Sequence, residues 1–417
     1  MDQRECARLE TRDGQPVNLL GVKLSGDLRG LMFEASIEQR FCNPGEKNVE
    51  VVYSFPLPWG AVLLGVDVVL GDKHLTGAVV EKKQAEARYE EAISEGNAAI
   101  MLEKNHDHSY SLNLGNLAAG EHCNVTLRYA QTLQFEQRGL RLLIPTVIAP
   151  RYGDAQEDGG LMPHQVPIHS LLAEHPFALE LRLHGDLAQA RVASPSHHPV
   201  GVAHGKAGTG AVLTVSLARQ ASLDRDFVLV VDQLAHESMV VAARDSVAPG
   251  SVAILASFCP RIAVQGSAST AVKILVDCSG SMAGDSINAA KRALQAVVRQ
   301  LGAGDRFSLS RFGDTVEHRS RGLWKTTETT QLAAQRWVGA LQANLGGTEM
   351  EAALISTFAL AHTVSSDILL VTDGEISAID RTIESAKHSG HRLFIVGIGS
   401  SPAETHLRRL AEATVGA

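Results

Sequence analysis

Residues 271–281 of the chain read Ala-Val-Lys-Ile-Leu-Val-Asp-Cys-Ser-Gly-Ser. The largely apolar run at the start of this stretch is short and is followed by turn residues, which predicts a buried strand. Asp277, Ser279 and Ser281 then place a carboxylate and two hydroxyls at alternate positions of the following loop. Mg²⁺ takes oxygen ligands of this kind and keeps several of its waters. With Gly280 allowing a tight turn, the stretch predicts a strand whose carboxyl end holds a small divalent cation.

Two later segments offer further oxygen donors to the same ion. Residues 345–349 read Leu-Gly-Gly-Thr-Glu, a glycine turn that presents the hydroxyl of Thr348. Residues 367–375 form a second apolar run, which ends at Asp373 in the order Thr-Asp-Gly-Glu. We expect the three segments to converge on one Mg²⁺ or Mn²⁺. The candidate metal residues are Asp277, Ser279, Ser281, Thr348 and Asp373.

The segments between these loops alternate between strand and helix patterns. A helix is expected from about Ser286, with Asp285 or Ser286 as its N-cap. Apolar residues recur at steps of three or four along it, at Ile287, Ala290, Leu294, Val298 and Leu301. Further strands are predicted over 306–312 and 391–399, and further helices over 329–341, 349–361 and 403–414. Alternating strands and helices predict an α/β fold with a parallel sheet, which binds ligands at the carboxyl ends of its strands.

The ordered set Asp277-x-Ser279-x-Ser281, then Thr348, then Asp373, resembles the metal-ion-dependent adhesion site (MIDAS) of von Willebrand factor A domains. The resemblance implies a Rossmann-like, doubly wound fold and a Mg²⁺ held by these residues, with the second aspartate acting near the ion or through water. It also implies a protein partner that offers a Glu or Asp side chain to the ion. Cys278 is expected to point away from the serines and to have a structural role.

The amino-terminal half reads mainly as short strands with one helix over 82–94. Three of its motifs are Tyr-Ser-Phe-Pro-Leu-Pro at 53–58, Leu-Gly-Asn-Leu-Ala-Ala-Gly-Glu at 114–121 and Leu-Ile-Pro-Thr at 143–146. In order and spacing they resemble the vault protein inter-alpha-trypsin (VIT) domain. That module precedes a von Willebrand A domain in proteins of the inter-alpha-trypsin inhibitor heavy chain type, and we expect here a bacterial or cytoplasmic form of that pair.

The predicted architecture is therefore multidomain. We expect a β-rich VIT domain over 14–152, a β-sandwich over 165–268 and a von Willebrand factor A domain over 270–417. Within the sandwich, the continuous apolar run at 251–257 is expected to be a central strand. The resemblance also implies a further strand and helix after Ala417, so the chain is expected to be cut short there.

Composition sets limits on function. The chain has 417 residues, of which 45% are apolar and 20% charged, with a net charge of −8. This charge argues against a general nucleic-acid binder, and no apolar run approaches the roughly twenty residues that span a bilayer. The first residues are polar and show no secretory signal. The five scattered cysteines fit neither a disulfide framework nor a zinc site, so a cytoplasmic location is expected.

These features predict a non-enzymatic interaction module that binds an acidic partner residue through Mg²⁺. Two alternatives remain open. A haloacid dehalogenase-like phosphohydrolase would use Asp277 as its nucleophile, but the position two residues later holds Ser279 rather than a general acid. A structural scaffold with an unused metal site is the other alternative.

Overall fold

The structure is a computed structural model of the chain. It divides into two compact units. Described residues of the first unit lie within 8–146 and 176–258, and those of the second within 269–417. In full, the structure describes residues 8–10, 16–104, 109–136, 139–146, 176–207, 210–218, 221–222, 225–234, 238–245, 248, 250–258, 269–361, 366–374, 379–399 and 402–417.

The first unit is built almost entirely of strands. Its first part contains β1 (Arg8–Glu10), β2 (Pro16–Arg29), β3 (Met32–Cys42), β4 (Val49–Pro56), β5 (Val62–Leu70), β6 (Lys73–Thr76), α1 (Lys82–Ser94), β7 (Ala99–Lys104), β8 (Ser109–Leu117), β9 (His122–Thr132), β10 (Phe135–Glu136) and β11 (Gly139–Ile144). Its second part contains β12 (Pro176–His184), β13 (Arg191–Ala193), β14 (Pro199–Ala207), β15 (Gly210–Leu217), β16 (Ala221–Ser222), β17 (Phe227–Asp232), β18 (Met239–Arg244) and β19 (Val252–Ser257).

The largest sheet of the first unit runs β14-β15-β12-β2-β3-β9-β5-β6. Along β3, buried and more exposed residues alternate, because successive side chains of a strand point to opposite faces. The buried face joins one apolar core that also contains residues of the smaller sheets β10-β11-β17-β13 and β4-β8-β7. The single predicted helix is present as α1, with the expected bounds.

The described residues 176–258 of the segment expected to be a β-sandwich over 165–268 belong to the same compact unit as the described residues before them. Strand β12 pairs in parallel with β2, from Phe177 opposite Val22 to Leu183 opposite Leu28. Both parts of the unit therefore share one sheet and one core. The alternating pattern of β12 shows that one of its faces is buried, but it does not show which strand lies beside it.

The expected central strand near 251–257 is also different in the structure. Strand β19 pairs with β18 in a two-stranded sheet. Val252 and Ile254 are 59% and 68% exposed, while Leu255 packs against the core. The continuous apolar run was interpreted as a strand buried on both faces, whereas one of its faces is open to solvent.

The second unit alternates strands and helices. It contains β20 (Ala271–Asp277), α2 (Asp285–Gln300), β21 (Arg306–Phe312), β22 (Val316–His318), β23 (Trp324–Lys325), α3 (Glu328–Gly339), α4 (Met350–Ala359), β24 (Asp367–Thr372), α5 (Ile379–His388), β25 (Leu393–Gly397) and α6 (Glu404–Glu412). The sheet order is β22-β21-β20-β24-β25, with β23 also on β21. The four longer strands are parallel.

Helices cover both faces of this sheet. Buried residues of α2 and α3, such as Leu294 and Val338, form one core with the sheet. Buried residues of α4, α5 and α6, such as Leu354, Ile383 and Leu410, form the other. This is the predicted doubly wound α/β fold. Because β21 and β24 lie on opposite sides of β20, the strand order changes direction at β20, and a ligand crevice is expected at the carboxyl ends of β20 and β24.

Two details of this unit differ from expectation. Helix α2 begins at Asp285 with Gly284 as its N-cap residue, rather than Asp285 or Ser286. Helix α5 was not predicted. In the described part of the chain, no helix is long and apolar enough to cross a membrane.

Candidate metal centre

Asp277 is the last residue of β20 and its side chain lies at the carboxyl end of the sheet. It is fully buried, with 0% exposure. Its Oδ1 accepts a hydrogen bond from the backbone N–H of Ser279 at 2.9 Å. The hydroxyl oxygens of Ser279 and Ser281 lie 3.0 Å apart. The loop therefore gathers a carboxylate and two hydroxyls in one place, as the sequence predicted.

The glycine turn before Thr348 is attached to this loop by two backbone hydrogen bonds. The N–H of Leu345 donates to the carbonyl of Cys278 at 3.0 Å, and the N–H of Gly280 donates to the carbonyl of Gly346 at 2.7 Å. Thr348 follows directly and is half-buried. The structure thus brings the second predicted segment beside the first.

Asp314, which the sequence analysis did not identify, holds the glycine turn from its other side. Its Oδ1 accepts a hydrogen bond from the N–H of Gly347 at 2.7 Å, and its own N–H donates to the carbonyl of Leu345 at 2.7 Å. Gly346 has a φ of +77°, and an added Cβ there would lie 1.9 Å from Oδ2 of Asp314. An acid just after the end of β21 was the sequence signal that could have identified Asp314.

The position in these loops that requires glycine is therefore 346 rather than 280. Gly280 is not among the glycines with a positive φ. A Cβ added to it would lie 3.6 Å from the carbonyl oxygen of Gly346, which is ordinary van der Waals contact. The expectation that Gly280 is needed for a tight turn is wrong.

The third segment reaches Asp277 through Thr372, the last residue of β24. The hydroxyl of Thr372 donates to Oδ2 of Asp277 at 2.6 Å and accepts from the N–H of Gly374 at 3.1 Å. Asp373 follows and is half-buried. Thr372 is the second functional residue that sequence reasoning missed, although it stands beside the predicted Asp373.

The electrostatic environment of Asp277 favours the binding of a cation. Burial raises the pKa of Asp277 to about 6, the hydrogen bonds from Ser279 and Thr372 oppose this rise, and the charge of Asp373 adds to it. No Lys or Arg side chain within the described residues forms an ion pair with Asp277. A buried carboxylate beside a second acid is unfavourable when ionised, and a bound cation would relieve that cost.

The donor set fits a small, hard cation better than a soft metal. It contains two carboxylates and three hydroxyls, and such oxygen ligands suit Mg²⁺ or Mn²⁺. Across the part of the chain that the structure describes, no cluster of three or more His, Cys, Asp or Glu side chains could hold a metal. Cys278 is fully buried in the apolar core, and burial raises the pKa of its thiol to about 12, which agrees with the expected structural role.

The described cysteines are free thiols. These are Cys42, Cys123 and Cys278. Cys6 and Cys259 lie outside the described residues.

A parallel, doubly wound sheet with an Asp-x-Ser-x-Ser loop after its first strand defines the second unit as a domain of the von Willebrand factor A class. The family model for the von Willebrand factor type A domain matches residues 270–417. The model for the vault protein inter-alpha-trypsin domain matches residues 19–129. The chain therefore contains a VIT domain followed by a von Willebrand factor A domain, as its sequence motifs predicted.

Similar proteins carry the same pair of segments within longer chains. Von Willebrand factor A domain-containing protein 5A of Mus musculus is 27% identical, over 98% of this chain and 55% of that protein. The Homo sapiens protein of that name gives the same three percentages. Protein mono-ADP-ribosyltransferase PARP4 of Mus musculus is 23% identical, over 98% of this chain and 21% of that protein. The chain thus spans about half the length of the 5A relatives.

Two of the solved structures that are similar to this chain are named for a von Willebrand factor type A domain or a MIDAS motif. A von Willebrand factor type A protein from Catenulispora acidiphila is 19% identical with a TM-score of 0.32, over 60% of this chain and 46% of that chain. Proximal thread matrix protein 1 from the mussel byssus, with a zinc-occupied MIDAS motif, is 14% identical with a TM-score of 0.30, over 35% and 40%.

Proposed function

We propose that the von Willebrand A domain of this chain is a non-enzymatic interaction module that binds an acidic partner residue through a divalent cation. Asp277, Ser279, Ser281 and Thr348 would hold Mg²⁺ or Mn²⁺, with Asp373 near the ion or acting through water. The observation that carries the proposal has two parts. The glycine turn is hydrogen-bonded to the loop after β20, and Thr372 of β24 donates to the buried carboxylate of Asp277. No Lys or Arg side chain within the described residues pairs with that carboxylate.

The donor chemistry supports a partner that supplies a carboxylate. A bound divalent cation would act as a Lewis acid that attracts one more oxygen ligand. The hydroxyls of Ser279, Ser281 and Thr348 are neutral, so they leave much of a dication's charge unbalanced. A Glu or Asp side chain of a partner protein is a suitable further ligand. We further propose a cytoplasmic location, because the described cysteines Cys42, Cys123 and Cys278 are free thiols, as is usual in a reducing compartment.

Chelator-controlled capture tests this function. The full chain would be immobilised and exposed to a lysate of its source in Mg²⁺, in Mg²⁺ with excess chelator, and as the Asp277→Ala variant. Asp285→Asn is a matched control, because it removes one nearby exposed acid that is not a candidate ligand. We expect bound proteins that are lost with chelator and with Asp277→Ala but kept with Asp285→Asn. Partners that bind equally under all four conditions would contradict the proposal.

A phosphatase assay addresses the phosphohydrolase alternative. Neither matching family model is that of a haloacid dehalogenase, and Ser279 has no carboxyl group to act as the general acid. We expect no hydrolysis of a phosphomonoester that depends on Asp277. Turnover that disappears in Asp277→Asn would establish the enzyme instead.

A further inference from the structure

An open depression of about 480 Å³ lies on the second unit, beside the edge strand β22. Its described lining residues are His318, Arg319, Ser320, Arg321 and Leu360. None of them belongs to the three loops around Asp277. Four of the five are consecutive in the chain, and Leu360 follows the carboxyl end of α4.

Residues 318–321 are held in place at both ends by hydrogen bonds and strand pairing. The N–H of Arg319 donates to the carbonyl of Leu309 in β21 at 2.8 Å. The hydroxyl of Ser320 donates to the carbonyl of Gly322 at 2.5 Å, and β23 then returns to β21 with Trp324 opposite Phe307. The segment is therefore fixed by the sheet on which both of its flanking strands pair.

The imidazole ring of His318, at one side of the depression, is held in place by two hydroxyl groups. Its Nδ1 lies 2.7 Å from the hydroxyl of Ser310 in β21, and its Nε2 lies 2.8 Å from the hydroxyl of Ser356 in α4. Burial lowers the pKa of His318, so the imidazole is mainly neutral at neutral pH. The positive charge of the depression therefore comes from its arginines.

Arg319 and Arg321 both bring a guanidinium that no acid neutralises within the described residues. The Cζ of Arg319 lies 5.8 Å from the ring centroid of Trp324, which orients its planar group. The acid nearest in sequence, Glu317, is already paired with Arg311 at 2.7 Å. Within the described residues, Arg319 and Arg321 are thus two unpaired guanidiniums, two positions apart, on a chain whose net charge is −8.

We propose that this depression binds the phosphoryl group of a small phosphorylated ligand through Arg319 and Arg321, beside the side chains of Ser320 and His318. Guanidinium groups present a planar fork of N–H donors that matches phosphate oxygens in pairs. The volume exceeds that of a phosphate ion and falls in the range of small-molecule sites, roughly 300–1,000 Å³. The rest of the ligand would lie over Leu360.

Anion titration of the full chain tests this site. Inorganic phosphate, pyrophosphate and phenyl phosphate would be titrated by calorimetry at low ionic strength, with chelator present so that the Asp277 site takes no part. We expect Arg319→Gln and Arg321→Gln each to weaken binding by about tenfold or more. Arg321→Lys should lose part of the affinity, because it keeps the charge but not the fork.

Arg292→Gln is the matched control. Arg292 lies on α2, is exposed and has no ion pair within the described residues, but it does not line the depression. We expect its substitution to leave phosphate binding unchanged. Equal losses in Arg292→Gln and Arg321→Gln would show non-specific attraction, and no binding of any of the three anions to the wild type would overturn the site. Acetate or succinate binding as tightly as the phosphates would overturn its phosphoryl specificity.

Discussion

The hydroxyl of Thr372 donates a 2.6 Å hydrogen bond to Oδ2 of Asp277, and both side chains are fully buried. Because Oδ1 is held by the N–H of Ser279, each oxygen of the carboxylate has its own donor. Thr372 therefore fixes the orientation of Asp277 from a strand 95 residues away in sequence.

Removing this hydroxyl should weaken metal binding without removing a candidate ligand. We expect Thr372→Val to lower Mn²⁺ affinity by about 10- to 100-fold, the usual effect of losing a group that orients a metal ligand. Thr372→Ser keeps the hydroxyl and should stay near the wild type. Titration calorimetry measures both, and equal affinity in the Val variant and the wild type would mean that Thr372 does not position Asp277.

The buried carboxylate of Asp277 should make the metal-free protein less stable as pH rises. Burial raises its pKa from the ordinary value of 3.8 to about 6 in the folded chain, so the folded state binds the proton more tightly than the unfolded state does. Stability is therefore lost as pH rises from about 4 to 6, by about 3 kcal/mol in all. Asp277→Asn removes this dependence, and at neutral pH its free energy of unfolding should exceed that of the wild type by about 1–3 kcal/mol.

Asp277→Ala separates charge from hydrogen bonding in the same experiment. This substitution also removes the buried negative charge of Asp277. It leaves the N–H of Ser279 and the hydroxyl of Thr372 without their acceptor, however, at a cost of about 1–3 kcal/mol each. We expect it to be less stable than Asp277→Asn. Chemical denaturation in chelator at several pH values measures the three proteins. An Asn variant less stable than the wild type at neutral pH would point to a structural role for the charge.

Gly346 should be intolerant of any side chain. Gly346→Ala forces a residue with a Cβ into a φ of +77° and places that Cβ against Oδ2 of Asp314. We expect a loss of about 1–3 kcal/mol in the free energy of unfolding together with weaker metal binding, since Thr348 lies two residues further on. Gly280→Ala, where the space is ordinary, is the control and should fold normally. Similar stability of the two variants would contradict the assignment of strain to Gly346.

The buried side chain of Lys273 should give the free energy of unfolding a second, independent dependence on pH. It is fully buried in β20, its Nζ donates to the carbonyl of Phe358 at 3.0 Å, and burial lowers its pKa to about 8. The unfolded chain, in which the lysine pKa has its ordinary value of 10.5, therefore holds this proton more tightly between about pH 8 and 10.5. Stability should rise with pH across that window.

Lys273→Met should remove this rise. The stability of the variant relative to the wild type should then fall from pH 8 toward pH 10, because only the wild type gains stability there. Denaturation of both proteins across this range is the measurement. A difference between them that does not change with pH would show that Lys273 carries no such shift.

Local patterns were enough to predict several elements of both units. Strand β21 and helix α1 have the predicted bounds, because their periodicity and turn residues lie within each segment. The residues that follow β20 and β24 were predicted to meet because carboxyl ends of parallel strands share one edge. The hydrogen bond from Thr372, the last residue of β24, to Asp277, the last residue of β20, shows that the two strand ends do meet.

Contacts between distant segments could not be predicted. The hydrogen bond from Thr372 to Asp277 and that from Gly347 to Asp314 depend on sheet register and loop geometry, which leave no local pattern. The parallel pairing of β12 with β2 was missed for the same reason. For β19, an apolar run did not distinguish a strand buried on both faces from one with an open face.

Calorimetric titration of Mn²⁺ or Mg²⁺ into the full chain tests the central claim most directly. We predict one cation bound by the wild type and by Asp285→Asn, and binding lost in Asp277→Ala. Circular dichroism of each variant would establish that it is folded. Unchanged affinity in folded Asp277→Ala, or no binding of either cation to the wild type, would contradict the claim that these loops form a metal centre.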